Sequence, residues 1–230
     1  SSANTIGVGN LYCLTFGGAG LTNDAAVTCS GHHRFQRDNI NETLVFNKEF
    51  AAGPDSVQIH FGNCQFPSGF KNTGGSPQPR VISGCDAYLG KFTFGGNITF
   101  IDETGPARLH LTSGNNALYL AFTVPSKLTI VCEAADCLYS TVPVGQLYLN
   151  SNRAEINGRS FDLNGYDQTI RTITKNNYSE ALDRPEQIYS AAPAVLTLNG
   201  ISNTSRQPVS EFTLPMQFRS KASFKLNIPA

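Results

Sequence analysis

The densest polar cluster in this 230-residue chain is His32-His33-Arg34, with Asp38 close behind. Such a set suits acid–base work or an anion grip, but it directly follows Cys29, and the favoured reading is an exposed loop. His60 and His110 each stand between apolar residues in alternating stretches, which places both on the outward phase of a strand as surface histidines. Asp162, Asp167 and Asp183 could supply carboxylates, and Arg153, Arg159 and Arg171 a basic partner. A β-helix polysaccharide lyase or hydrolase would gather such groups, with calcium, on one exposed sheet face. Asp162 and Asp167 lie beside corner residues, however, where Asx-turn bonding accounts for them. No G-x-S-x-G elbow, phosphate-binding glycine loop or CxxC occurs, and His32-His33 lacks the spacing of a zinc pair. The reading is a non-enzyme with no catalytic residue, metal or cofactor.

The six cysteines Cys13, Cys29, Cys64, Cys85, Cys132 and Cys137 form an even set. Their spacing favours sequential disulfides, Cys13–Cys29, Cys64–Cys85 and Cys132–Cys137, and with them an oxidising compartment. Sequons at Asn41, Asn97, Asn177 and Asn203 agree with export. The opening Ser1-Ser2-Ala3-Asn4 would suit a processed N-terminus as well as an arbitrary start. Lys+Arg and Asp+Glu both number 17, so no electrostatic grip on nucleic acid or anionic lipid is expected. No apolar run is long enough for a transmembrane helix, so no membrane insertion is expected.

The elements that must position these residues are strands. Charged residues are only 15% of the chain, against 21 Gly and 12 Pro, which fits short strands joined by tight turns. Period-two alternation recurs at Ile59/Phe61, Phe92/Phe94, Ile98/Phe100, Leu109/Leu111, Leu118/Leu120 and Leu128/Ile130. It resumes at Leu147–Leu149, Ala154–Ile156, Phe161–Leu163, Thr169–Arg171, Val195–Leu198, Phe212–Leu214 and Phe224–Leu226. Asn157-Gly158, Asn164-Gly165 and Asn199-Gly200 mark corners that need positive φ. Tyr178–Tyr189 holds the best helical stretch, a turn in a loop, interrupted by Pro185. A β-sandwich and a β-solenoid both produce this rhythm.

The segment R-A-E-I-N-G-R-S-F-D-L-N-G-Y-D-Q-T-I, Arg153 to Ile170, resembles the passenger-associated repeat of autotransporter-type β-helix proteins. The A-V-L-T-L-N-G run, Ala194 to Gly200, is similar to a short coil of that family. The match spans about Gln146 to Gly200. It implies a right-handed β-solenoid used as a surface scaffold, and no chemistry.

The resulting expectation is an all-β chain. Residues 1–89 form a disulfide-bearing β region or cap, and residues 90–230 a solenoid whose strands stack in parallel. A fimbrial-adhesin-like β-sandwich is the alternative. The expected role is an exported structural subunit of an extracellular filament or cell-surface layer, with copies of itself as partner. A glycan-binding adhesin using Tyr119 and Tyr148, outward by phase, is the second reading, and the polysaccharide-active enzyme the third. Phe212, Leu214, Phe224, Leu226 and Ile228 form the apolar phase of two C-terminal strands. They either pair within the chain or complete a sheet in a neighbouring subunit.

Overall fold

The computed structural model describes residues 4–6, 14–16, 22–24, 26–29, 32–37, 41–52, 58–72, 78–90, 92–94, 98–99, 105–114, 117–118, 121–124, 128–137, 146–149, 159–170, 172–175, 186–198 and 216–226. Among them every regular element is a strand and every strand pair is parallel. The chain is a β-solenoid, and the antiparallel sandwich is excluded. Cys13, Asp38, Asn97, Tyr119, Arg153, Arg171, Asn177, Asp183, Asn203, Phe212, Leu214, Ile228 and the Ala154–Ile156 stretch lie outside the described residues.

The coils run in threes. The strands are β1 (Asn4–Ile6), β2 (Leu14–Phe16) and β3 (Thr22–Asn23), then β4 (Val27–Cys29), β5 (His32–Arg37) and β6 (Leu44–Phe46). Next come β7 (Phe50–Ala52), β8 (Gln58–Phe61) and β9 (Cys64–Phe66), then β10 (Phe70–Asn72), β11 (Gln78–Val81) and β12 (Asp86–Leu89). They continue as β13 (Phe92–Phe94), β14 (Ile98–Thr99) and β15 (Ala107–Leu111), then β16 (Ala117–Leu118), β17 (Ala121–Val124) and β18 (Leu128–Cys132). The last are β19 (Gln146–Leu149), β20 (Arg159–Asp162), β21 (Gln168–Ile170), β22 (Thr172–Lys175), β23 (Glu186–Leu198) and β24 (Met216–Leu226). In each of the first six triplets the first strand joins a six-stranded sheet, β1-β4-β7-β10-β13-β16. The second joins β2-β5-β8-β11 or β14-β17-β19-β22. The third joins the ten-stranded sheet C, which runs β3-β6-β9-β12-β15-β18-β20-β23-β21 with β24 on β23. The β10–β13 and β12–β15 ladders carry the stacking from the first stretch of chain into the second.

Stacked coils place like residues over one another, and the core follows. The inward row of sheet C is Leu44, Cys64, Ala87, Leu109, Ile130, Phe161 and Ile188, in register and all buried. Aromatic rings stack from coil to coil: Phe46 on Phe66 at 5.1 Å and 3°, Phe50 on Phe70 at 5.5 Å and 13°. Phe50 then meets Phe35 and Phe61 edge-on across the interior, the offset arrangement that ring quadrupoles favour.

The described cysteines belong to this core, which gives the expected disulfides no support; Cys13 of the Cys13–Cys29 pair lies outside the described residues. Cys29, Cys64, Cys85, Cys132 and Cys137 are buried thiols. The physical reason is positional. Cys64 occupies the rung that Leu44 and Ala87 fill in the adjacent coils, and Cys132 the rung of Leu89 and Leu111. A buried cysteine behaves there as a small apolar residue. The Cys64 thiol is also 3.6 Å from Phe35 O.

Two other expectations change. His32–Arg37 is strand β5 rather than a loop, with His33 (2% exposed) and Phe35 (0%) pointing inward and their rings 6.2 Å apart. Glu186–Tyr189, the end of the expected helical turn, opens β23.

Candidate functional site

The outward face of sheet C concentrates the polar side chains with defined geometry. Because the strands pair in parallel register, with shifts only within the β20–β23 and β23–β24 ladders, outward residues also form rows. One row runs Gln65, Tyr88, His110, Val131, Asp162, Tyr189, and the row beside it pairs Asp86 with Arg108 and Arg108 with Thr129.

His110 is the centre of this arrangement. Its neighbours Leu109 and Leu111 point inward, as alternation dictates, so its ring lies on the outer face. Yet His110 is only 8% exposed, unlike the surface residue expected for that phase. Tyr88 stacks on it, ring centroids 4.3 Å apart at 18°. On one side Nδ1 is 2.6 Å from Glu133 Oε1, in the turn after β18. A carboxylate only accepts, so Nδ1 carries the hydrogen. On the other side Nε2 is 3.7 Å from Asp86 Oδ1, too far for a hydrogen bond, and is buried without a hydrogen-bond partner.

Asp86 is fixed in place from two directions. Arg108 clamps its carboxylate through Nε to Oδ1 at 2.6 Å and Nη2 to Oδ2 at 2.7 Å, while the Asp86 backbone N–H donates to Asn63 Oδ1 at 2.7 Å. This bidentate pair holds the Arg108 pKa above its ordinary value. Burial, then the nearby Asp86 and Glu133 carboxylates, raises the Tyr88 pKa against a smaller lowering by Arg108, and keeps the phenol protonated. The arrangement is a string of acceptors and donors across three coils.

A second constellation sits at the corner after β18. Gln168, 1% exposed, accepts from Cys137 N at 2.9 Å and donates to Ala134 O at 2.8 Å. Asp136 Oδ1 accepts from Thr169 N, and Asp167 Oδ1 from Val195 N, each at 2.8 Å. The Asp162 carboxylate accepts from Asn164 N at 2.9 Å, the Asx bonding expected at a corner, and Asn164 and Gly165 take φ of 49° and 84°. These carboxylates bond the backbone of their own and neighbouring coils, so they serve the fold.

The Cys137 thiol lies at the same corner, donating toward Ala134 O (2.9 Å) and Leu111 O (3.2 Å). A hydrogen bond from Cys132 lowers the Cys137 pKa against burial, while burial drives that of Cys132 well up. The expected Cys132–Cys137 pair are therefore neighbours, as thiols. Burial pushes the Cys29 thiol up to about 12 and raises that of Cys64 further.

Of the other candidates, Asn41 is exposed in a turn, and Tyr148 sits in β19 between Thr123 and Thr174. Arg159 lies in β20, paired with Gln187. Phe224 is in β24, 37% exposed, and Leu226 ends that strand. Among the described residues no three His, Cys, Asp or Glu side chains converge as metal ligands, and no helix is long and apolar enough to cross a membrane. The Asp86–His110–Glu133 grouping was not singled out from sequence. The signal is a step of 22 residues that superposes Asp86 on Arg108 and Tyr88 on His110.

The fold and this face define the chain as a parallel β-solenoid with a polar ladder on its longest sheet. No family model matches the chain, and neither the curated proteins nor the solved structures contain a match.

Proposed function

We propose that the chain is an exported structural subunit of an extracellular filament or cell-surface layer, joined to its neighbours by strand pairing. The observation that carries this reading is β24. It pairs with β23 of its own chain over ten register positions. On its other edge no strand lies among the described residues. An eleven-residue edge offers a row of backbone donors and acceptors to a further strand. Ser220, Lys221, Ser223 and Phe224 are exposed along it. Zero formal net charge leaves no long-range repulsion between copies.

Because β24 is already part of its own sheet, assembly in this reading adds a strand to its outer edge rather than donating β24 to a neighbour. The resemblance to a passenger repeat supports a scaffold role. Export rests on the exposed Asn41 sequon and the low charge, since the buried thiols no longer argue for it.

The experiment is negative-stain microscopy of the purified chain at neutral pH, beside Phe224→Lys. Filaments or sheets are expected from the first. The second places a charge at an exposed edge position and should stay folded but dispersed. A wild-type chain that remains monomeric at high concentration would overturn the proposal.

A further inference from the structure

We propose that the outward face of sheet β2-β5-β8-β11 binds an acidic polysaccharide laid along the solenoid axis, gripped by Arg34 and Arg80. This goes beyond assembly and does not rest on it. The starting point is register. Arg34 pairs with His60 and His60 with Arg80, so three adjacent coils stack basic residues in one row, about 4.8 Å per step. His33, Phe35, Ile59, Phe61 and Val81 fill the inward phase of these strands and are buried, which turns the row outward. The described outward side chains of the sheet are Arg34, Gln36, Gln58, His60 and Arg80, all half-buried, with no carboxylate among them. Sheet C differs, with Asp86 and Asp162 in its outward rows. A formal net charge of zero thus conceals a basic face.

The charges define the ligand. A guanidinium stays cationic at any physiological pH, and its planar fork matches an oxyanion such as a carboxylate or a sulfate. Arg34 is set in place by its own strand. Its Nε donates to Gln36 Oε1 at 2.8 Å, which leaves the donors of the two terminal nitrogens for a ligand. A side chain held in this way loses less freedom on binding. The bond also ties no coil to another, unlike the Arg108 to Asp86 pair, so coil stacking does not account for it.

Arg34 and Arg80 are two steps apart, about 10 Å. One small anion cannot lie in the fork of both, whereas a linear chain that carries acid groups at intervals meets each in turn. The row follows the solenoid axis because the coils stack in register, so it suits an extended polymer. Gln58 and His60, with Oε1 and Nε2 3.4 Å apart, line the path between with groups that hydrogen-bond sugar hydroxyls. The described outward side chains include no Phe, Tyr or Trp, and so offer no stacking platform of the kind single-stranded nucleic acid uses. A polysaccharide is the polyanion this face fits.

The test uses the full chain at neutral pH and calorimetry with four probes: hexagalacturonate, a heparin hexasaccharide, cellohexaose and a thymidine decanucleotide. At least one of the two acidic sugars should bind, more weakly as salt is raised, and cellohexaose should not. The two acidic probes distinguish a carboxylated from a sulfated ligand. Arg34→Gln and Arg80→Gln should each weaken binding by about tenfold, the effect of losing a hydrogen bond to a charged group. Lys71→Gln removes the same charge from an exposed position on β10, in another sheet, and should leave binding within about twofold. If either arginine variant does not fold, the arginine Nε–H resonances of the wild-type chain carry the test, and those of Arg34 and Arg80 should move with ligand. The proposal is overturned if neither acidic sugar binds, or if cellohexaose or the nucleotide binds as tightly. It is also overturned if the arginine variants bind like wild type, if Lys71→Gln weakens binding as much as they do, or if bound ligand leaves both arginine resonances unmoved.

Discussion

Replacing Gln168 should reveal how much the corner after β18 contributes to the solenoid. The side chain is 1% exposed and bonds two backbone groups of the preceding coil, Cys137 N at 2.9 Å and Ala134 O at 2.8 Å. Gln168→Ala removes both bonds, together with a longer one from Nε2 to Tyr166 O at 3.3 Å. Each buried group left unpaired costs about 1–3 kcal/mol, so a loss of roughly 2–4 kcal/mol is expected after some relaxation. Gln168→Glu sharpens the argument. A carboxylate still accepts from Cys137 N, but its second oxygen now opposes the Ala134 carbonyl. Once protonated, that oxygen donates as the amide did. The folded state therefore raises the pKa of this carboxyl above the unfolded value of about 4.3. Its stabilising contribution is present below that pH and lost as pH rises through the folded pKa. Urea titrations should place Gln168→Glu near wild type at about pH 4, relative to the wild type at the same pH, and well below it at pH 7. A Gln168→Ala loss under about 0.5 kcal/mol, or a Gln168→Glu deficit that does not change with pH, would refute the reasoning.

Three further outcomes follow from the packing. A Cβ at Gly90 would lie 2.6 Å from Pro67 O and 2.8 Å from Phe66 O, so Gly90→Ala should cost about 1–3 kcal/mol in the same titration; a neutral result would contradict the close approach. Iodoacetamide at pH 8 should leave Cys29, Cys64 and Cys132 unmodified in the folded chain and alkylate them in urea without reductant, read by peptide mass; failure to label in urea would reinstate disulfides. Because burial lifts Cys29 from 9.0 to about 12, its contribution to stability is intact below pH 9 and lost as pH rises toward 12. Cys29→Ala should accordingly flatten the alkaline decline, and an unchanged slope would count against the buried thiol.

Much of the fold is legible in the sequence because burial alternates where strands do. Ile59 and Phe61, Leu109 and Leu111, and Leu128 and Ile130 are buried as their phase requires. The D-L-N-G corner is legible for a local reason, since Asp162 and Asn164 bond within the turn and Gly165 takes positive φ. What depends on coil length is not. The step is 22 residues from Ala87 to Leu109 but 31 from Ile130 to Phe161, so the stacking of outward residues is not announced by neighbours in the chain. His110 reads as a surface residue until Tyr88 and Glu133 are brought against it from adjacent coils. His33 reads as a loop residue because its polarity hides an inward position beside Phe35. The cysteines mislead in the opposite way. Their even count suggests bridges, whereas their rungs are those of Leu, Ala and other core residues.

Fibre diffraction from oriented assemblies of the purified chain tests the assembly proposal most directly. If strands of neighbouring subunits add to β24, the solenoid stacking continues across each junction, with strands perpendicular to the fibre axis. A sharp meridional reflection near 4.8 Å is then expected, and Phe224→Lys should abolish the fibres that give it. Fibres that lack this reflection, or that form unchanged from Phe224→Lys, would contradict assembly by strand pairing at β24.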